Sequence, residues 1–427
     1  MNKHIKKSEG GNIVQFPVSN NQWCKKILFN MFGKLQSGKL AINNCGQLYE
    51  FGKTQGKDSI NAAIVIHNPQ FYPDVLFKGS LGAAESYMKG HWSTDNLTDV
   101  VRLFVANIDL LNRQLDAGWS KLTAPLMRIC HWLRKNTHSG SKKNIIAHYD
   151  MSNEFFQLFL DRTMGYSCGV FEHENTTLHE AQVAKFDRIC KKLDLKEEDN
   201  VIEIGGGWGG FAMHAAQNYG CRVTTTTISN NQYRYMQSIF ADAGLEGKVT
   251  VLQQDYRELN GRFNKLVSIE MIEAVGHHFL DTFFAKCCEL LKPDGMMALQ
   301  AITIPDHEFS RHKNSVDFIK RYIFPGSCIP SVAAINTSIS RKTDFRLMHV
   351  EDITLHYATT LRLWRERFFA NLDKVKALGF SESFIRMWEF YLASCEGSFQ
   401  EHYNGNVQMI FARPQNRQLS QELLLTS

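Results

Sequence analysis

The run Val201-Ile202-Glu203-Ile204-Gly205-Gly206-Gly207-Trp208-Gly209-Gly210-Phe211 limits this chain more than any other. An apolar strand ends in five glycines spread over six positions, and a helix-forming stretch follows. Glycines at such a turn tolerate positive φ and let backbone N–H groups approach a ligand closely. A strand that stops this way needs helices and further strands to bury it, and the downstream pattern supplies them. Strands are predicted over 200–205, 221–228, 248–254, 264–271 and 295–304, and helices over 178–195, 230–243 and 279–291. A helix-rich stretch, 359–400, precedes a last strand at 406–413. Strands alternating with helices predict a mostly parallel sheet covered on both faces, an α/β fold.

The glycines fit two ligand patterns. Gly205, Gly207 and Gly210 match the dinucleotide spacing GxGxxG, while Gly205, Gly207 and Gly209 match the turn of S-adenosylmethionine (AdoMet) methyltransferases. A nicotinamide enzyme carries an acid at the tip of the second strand for the ribose hydroxyls. Here that tip reads Thr224 to Thr227, Ile228, Ser229, Asn230, Asn231, Gln232, without a carboxylate. An acid does stand at the tip of the third strand, in Gln254-Asp255-Tyr256-Arg257, where a methyltransferase holds adenine. This favours AdoMet over NAD or FAD, with a purely structural glycine turn as the bland alternative.

At 427 residues the chain suggests two or three domains. With 44% apolar and 21% charged residues it is neither a disordered chain, a collagen nor a coiled-coil rod. A net charge of +5 is too mild to imply nucleic acid. Ten cysteines show no CxxC pair and no regular framework, so reduced thiols are expected, with no disulfides and no metal. No secretory signal and no transmembrane run are visible, which predicts a cytoplasmic protein. The first twenty residues read as a mobile tail. Short apolar runs and two helical patterns, around 83–92 and 96–115, then suggest a compact N-terminal α+β unit. Between 113 and 143 there are seven Lys or Arg and a single acid, Asp116, around the apolar Leu126, Met127, Ile129, Trp132 and Leu133. That composition suits a solvated helix face and linker, or contact with anionic head groups at a membrane surface.

Further segments are Ala147-His148-Tyr149-Asp150, Met164-Gly165-Tyr166-Ser167-Cys168, Ser268-Ile269-Glu270-Met271-Ile272-Glu273-Ala274-Val275-Gly276, Tyr322-Ile323-Phe324-Pro325-Gly326, Tyr357-Ala358-Thr359-Thr360-Leu361 and Cys395-Glu396-Gly397-Ser398-Phe399. In this order around the glycine loop, the chain over about 145–413 closely resembles the cyclopropane-fatty-acyl-phospholipid synthases and mycolic acid cyclopropane synthases. The stretch from Gly79 to Trp92 resembles, more loosely, their lipid-engaging domain.

The resemblance implies a class I AdoMet methyltransferase fold, Rossmann-like, with a seven-stranded mostly parallel sheet and a smaller N-terminal α+β lipid-binding domain. The expected divisions are a tail (1–20), the lipid-engaging domain (21–125), a basic linker (126–145), the catalytic domain (146–415) and a C-terminal tail (416–427). It implies methylene transfer from AdoMet to the cis double bond of unsaturated phospholipid acyl chains at the inner membrane face, through a carbocation, with bicarbonate as base and a homodimer as a possible assembly. The bicarbonate cage would involve Cys168, Glu273, Tyr357 and Gln300, with Cys395 nearby and His148 lining the site. AdoMet would meet Tyr166, Ser167, Gly205, Gly207, Thr227, Ile228, Gln232, Tyr256 and Arg257, with Trp208 covering its edge. Many relatives read Leu-His-Thr-Ile where this chain reads Leu299-Gln300-Ala301-Ile302. An amide cannot take up a proton at neutral pH, so Gln300 is not a base and either holds a bound-ion base or leaves the task to His148. Alternatives are a methyl-branched or methylene product, a small-molecule O- or N-methyltransferase, and a non-catalytic lipid binder.

Overall fold

The computed structural model describes residues 19–53, 59–111 and 151–417. Its larger sheet has seven strands: β5 (Asn200–Ile204), β6 (Arg222–Thr227), β7 (Val249–Gln253), β8 (Phe263–Ile269), β9 (Leu291–Thr303), β10 (Arg346–Asp352) and β11 (Gly405–Ala412). Their order is β10-β11-β9-β8-β5-β6-β7, with β11 antiparallel to both its neighbours and the remaining pairs parallel. The mostly parallel seven-stranded sheet expected from the sequence is therefore present. In β5, Val201 to Ile204 are all buried, as a strand covered on both faces requires. Chain order reverses between β5 and β8, so a crevice opens at their carboxyl ends, the usual ligand position in such sheets.

A second sheet of four strands, order β2-β1-β3-β4, is formed by β1 (Gly38–Asn44), β2 (Gln47–Lys53), β3 (Asn61–Ile66) and β4 (Trp92–Ser93). Strand β3 alternates, with Ala62, Ile64 and Ile66 inward. Helices α1 (Ser19–Phe32), α2 (Phe71–Met88) and α3 (Leu97–Ala106) pack with it. Helix α1 begins within the stretch expected as tail, and the residues from Asp74 to Gly82, among the short apolar runs of the sequence, lie inside α2. Gly79 breaks α2 with φ +58° and ψ −135°. At Gly82 a Cβ would sit 1.8 Å from the Asp74 carbonyl oxygen, so only glycine lets the two halves pack.

The sheet is flanked by α4 (Leu178–Lys192), α5 (Gly210–Asn218), α6 (Asn230–Asp242), α7 (Leu280–Leu290) and α8 (Val332–Lys342). Thr177 and Glu180 form a reciprocal capping box at the start of α4, and Ser229 caps α6. Two long helices, α9 (Thr354–Ala370) and α10 (Glu382–Gln400), cover the crevice. Helix α10 joins the two sheets' cores. Its Trp388 packs on Phe155, while Phe390 meets Tyr87 of α2. Tyr87 also donates to Glu389 at 2.6 Å, and Tyr322 donates to Glu85 at 2.9 Å. Among the described residues no helix is long and apolar enough to cross a membrane.

Candidate active site

The glycine turn after β5 holds positive φ at Gly205 (+86°), Gly207 (+56°) and Gly209 (+88°). Most of these glycines are packing requirements. A Cβ at Gly205 would strike Met271 at 2.6 Å, at Gly206 Thr225 at 1.9 Å, and at Gly209 Phe240 at 2.7 Å. Gly207 differs, because nothing lies within 4 Å of its absent side chain, and it faces a cavity of about 300 Å³. The buried Glu203 beneath the turn accepts from Thr225 Oγ1 at 2.6 Å, and burial pushes its carboxyl up to about 7.

Of the residues expected around the cofactor, Tyr166, Ser167, Gly205, Gly207, Thr227, Ile228, Gln232 and Tyr256 line this cavity, as do Trp208 and Asp255. The Thr227 hydroxyl donates to Gln232 Oε1 at 2.7 Å, and the hydroxyls of Tyr166 and Tyr391 lie 2.9 Å apart. Arg257 serves differently. Its guanidinium grips the Asp255 carboxylate through Nε (2.8 Å) and Nη2 (2.6 Å), so it fixes the acid. Trp208 donates to Asn153 at 2.8 Å and packs on Phe156. His148 and the basic stretch 113–143 lie outside the described residues.

At the other end of the cavity stands Glu270, which the sequence reading quoted within a motif but gave no role. It follows the last residue of β8 with φ +48°, a left-handed conformation uncommon away from glycine. Its Oε1 accepts from the Cys168 backbone N–H (3.0 Å), Gln300 Nε2 (2.8 Å) and Asn406 Nδ2 (2.6 Å); its Oε2 accepts from the Tyr357 hydroxyl (2.6 Å). Cys168 thus contributes its amide, while its buried thiol, pushed well up by desolvation, donates to the Gly169 carbonyl at 3.2 Å. The direction of the Gln300 amide is fixed from behind. Its Oε1 accepts from Gln408 Nε2 at 3.0 Å, and Gln408 Oε1 accepts from the buried Lys192 ammonium at 2.8 Å. The Tyr357 ring stacks on Phe399 with centroids 4.5 Å apart.

Glu273 has other partners. Its Oε1 accepts from the Ile302 N–H at 2.5 Å, and its buried Oε2 has no hydrogen-bond partner among the described residues. Desolvation, and then the neighbouring Glu270 charge, push its carboxyl up to about 8. Nearby, Lys185 is fully buried and donates to Ser167 Oγ at 2.7 Å; desolvation pulls its ammonium down to about 8, opposed by Glu270. Cys395 lies on the cavity wall with Tyr391 and Phe399, its thiol pushed up to about 12 by burial.

Three of the expected cage residues, Cys168, Gln300 and Tyr357, therefore meet on Glu270, and Glu273 sits beside them without sharing their bonds. Asn406 had no signal in the sequence. Glu270 had one, since it lies three positions before Glu273 in the chain and pairs with Gln300, the position that departs from the many relatives carrying His.

A family profile described as mycolic acid cyclopropane synthetase matches residues 136–409. The chain is 37% identical over 366 residues to the tuberculostearic acid methyltransferase UfaA1 of Mycobacterium tuberculosis, covering 83% of this chain and 84% of the relative. It is 37% identical over 357 residues to the cyclopropane-fatty-acyl-phospholipid synthase of Escherichia coli, covering 83% and 89%. Among solved structures, mycolic acid cyclopropane synthase CmaA1 complexed with SAH and CTAB aligns with a TM-score of 0.60 at 34% identity, over 64% of this chain and 98% of that one.

Proposed function

The chain belongs to the mycolic acid cyclopropane synthetase family and is an AdoMet-dependent transferase acting on fatty acyl chains; from there we propose that it converts the cis double bond of unsaturated phospholipid chains into a cyclopropane. One observation carries this reading. A carboxylate with four donors, several aromatic rings and the glycine turn all face a single cavity.

AdoMet supplies an electrophilic methyl group on a sulfonium. Gly207, with its open space, gives that cofactor backbone to lie against, and Thr227, Gln232 and the Asp255–Tyr256 tip offer polar groups for its nucleoside. When the methyl carbon bonds to one alkene carbon, the other becomes cationic. The rings of Tyr166, Phe324, Tyr357 and Phe399 line the cavity, and aromatic faces stabilise a cation where water is excluded. A base then removes a proton from the new methyl group, and the freed electron pair closes the ring. A small-molecule O- or N-methyltransferase forms no such cation and needs no carboxylate beside it.

The substrate must leave a bilayer. The N-terminal unit, braced on α10, and the basic stretch 113–143 are the parts assigned to that task, as a peripheral contact with the cytoplasmic face of the membrane. A second reading keeps the fold and cofactor but yields a methyl-branched or methylene-substituted chain. The likeness to a tuberculostearic acid methyltransferase favours it.

Incubating the protein with unsaturated phospholipid vesicles and AdoMet, followed by mass spectrometry and alkene cleavage, separates these outcomes. A gain of one CH2 that survives alkene cleavage is expected. The same gain in a chain that still cleaves establishes a methylated or methylene-substituted alkene, and the saturated methyl-branched chain, a gain of CH2 plus two hydrogens, is expected only with a hydride donor added. No gain, with AdoMet unspent, removes the lipid reading.

A further inference from the structure

Three of the groups that the resemblance assigns to a bound bicarbonate are already engaged by the protein itself. The Cys168 N–H, the Gln300 amide and the Tyr357 hydroxyl close on the Glu270 carboxylate, and Asn406 adds a fourth bond. Four donors around one O–C–O unit are what an oxyanion asks for, whether it is an ion or a side chain. The remaining expected ligand, Glu273, takes the Ile302 N–H on its Oε1 and shares none of these bonds. The residues present do not fit a bicarbonate ion.

Resting on the reading that a carbocation forms in this cavity, we propose that Glu270 is the base of the reaction, a carboxylate built into the chain where relatives are expected to bind an ion. The geometry also selects the atom. Oε1 already accepts three hydrogen bonds and Oε2 one, from Tyr357, so Oε2 keeps a lone pair for the proton. The step balances as follows. The bond from sulfur to methyl breaks as the first new C–C bond forms, and the thioether leaves. A C–H bond of the added carbon gives its proton to Glu270 Oε2, and its electron pair forms the second new C–C bond. Glu270 then releases that proton to water, restoring the carboxylate. A C–H beside a carbocation is strongly acidic, so a carboxylate suffices to take its proton.

Two features independent of the chemistry agree. Glu270 adopts φ +48°, a conformation that costs a non-glycine residue free energy and that glycine would take without strain. The Lys192–Gln408–Gln300 chain orients the Gln300 amide so that it gives an N–H to Glu270.

The test compares wild type, Glu270→Gly and Glu270→Gln in buffer stripped of carbon dioxide and in buffer with added bicarbonate. Wild-type turnover should be the same in both. Glu270→Gly should lose about 100-fold or more, in the range of a lost general base, and regain part of it with bicarbonate. Glu270→Gln, whose amide fills the cage without taking a proton, should lose as much and not recover. Affinity for AdoMet by calorimetry should stay within about threefold in all three, because the loop is untouched. Carbon-13 NMR with labelled bicarbonate supplies a readout free of turnover. Binding is expected to Glu270→Gly and not to wild type. Wild-type turnover that collapses without carbon dioxide, full activity in Glu270→Gln, or bicarbonate bound by wild type would each overturn the proposal. If wild type spends no AdoMet on any lipid, the functional reading fails by itself, and the NMR result still decides whether Glu270 fills the anion cage.

Discussion

Glu270 and Glu273 stand three positions apart, and the chain uses them in opposite ways. One collects four donors; the other takes a single backbone N–H and leaves an oxygen buried without a partner among the described residues. The motif that carries the family resemblance contains both, yet the resemblance gave a role only to Glu273. Which acid faces the cage depends on the left-handed turn at residue 270, and no linear pattern announces that for a non-glycine residue. Asn406 was beyond reach for another reason, since it arrives from the final strand, 136 positions from its partner. The glycine turn, by contrast, was legible because its chemistry is local. Glu273 gives a measurable consequence. In the folded protein its carboxyl keeps its proton to about pH 8, against an ordinary value of 4.5. The unfolded chain binds fewer protons across that window, so this group makes stability fall as pH rises from about 4.5 to about 8. Glu273→Gln removes the effect and keeps an acceptor for Ile302. Urea titrations of variant and wild type should therefore diverge with pH in favour of the variant, by up to about 1.4 kcal/mol per pH unit crossed, and then run parallel above pH 8. A gap that does not change with pH would show that Glu273 is ionised throughout.

Elements that repeat the α/β alternation were predicted closely: the strand expected over 221–228 is Arg222–Thr227, and the helix expected over 230–243 is Asn230–Asp242. Those that escaped lack the period that burial imposes. Strand β10 is an edge strand whose Leu347, Met348 and Val350 are exposed, so its sequence shows no buried face. Helix α2 escaped in its first half because Gly79 interrupts it. Helix α10 was expected only as helix-rich sequence, yet it brings Tyr391, Cys395 and Phe399 to the cavity wall and packs on α2 and α3 of the N-terminal unit. There the buried Glu396 accepts from Arg365 Nε at 2.9 Å and from Thr98 of α3 at 3.2 Å. Glu396→Ala leaves Arg365 partly buried without its carboxylate and should cost about 3 kcal/mol in a denaturant titration. Loss of less than about 0.5 kcal/mol would mean that the pair is no more than a surface contact.

Taken as a whole, the molecule separates its tasks. The glycine turn, the acid at the β7 tip and the anion cage belong to one sheet and the helices over it, while the four-stranded sheet adds a second body locked on through α2, α3 and α10. Charge is divided as well. Of 48 basic residues, seven lie between 113 and 143 beside a single acid, and the rest of the chain is close to neutral. If that stretch meets anionic head groups, binding to vesicles rich in anionic lipid should weaken steeply between about 50 and 500 mM salt, as the Debye length shortens. Replacing Arg128, Arg134, Lys135 and Lys142 by Gln should weaken sedimentation with such vesicles at low salt and leave AdoMet affinity unchanged. Equal binding by that variant would assign the contact elsewhere.

The anion cage is gathered from residues 168, 270, 300, 357 and 406, whereas the glycine turn and its flanking strands are complete by residue 269. Synthesis runs from the first of these to the last. A growing chain therefore contains the whole glycine turn well before strand β11 delivers Asn406 and Gln408 to the sheet. Until that strand zips between β9 and β10, Glu270 lacks one of its four donors and Gln300 lacks the neighbour that orients it. Chemistry is thus the last property the nascent protein gains, and an unfinished copy has no assembled centre with which to alkylate a passing lipid.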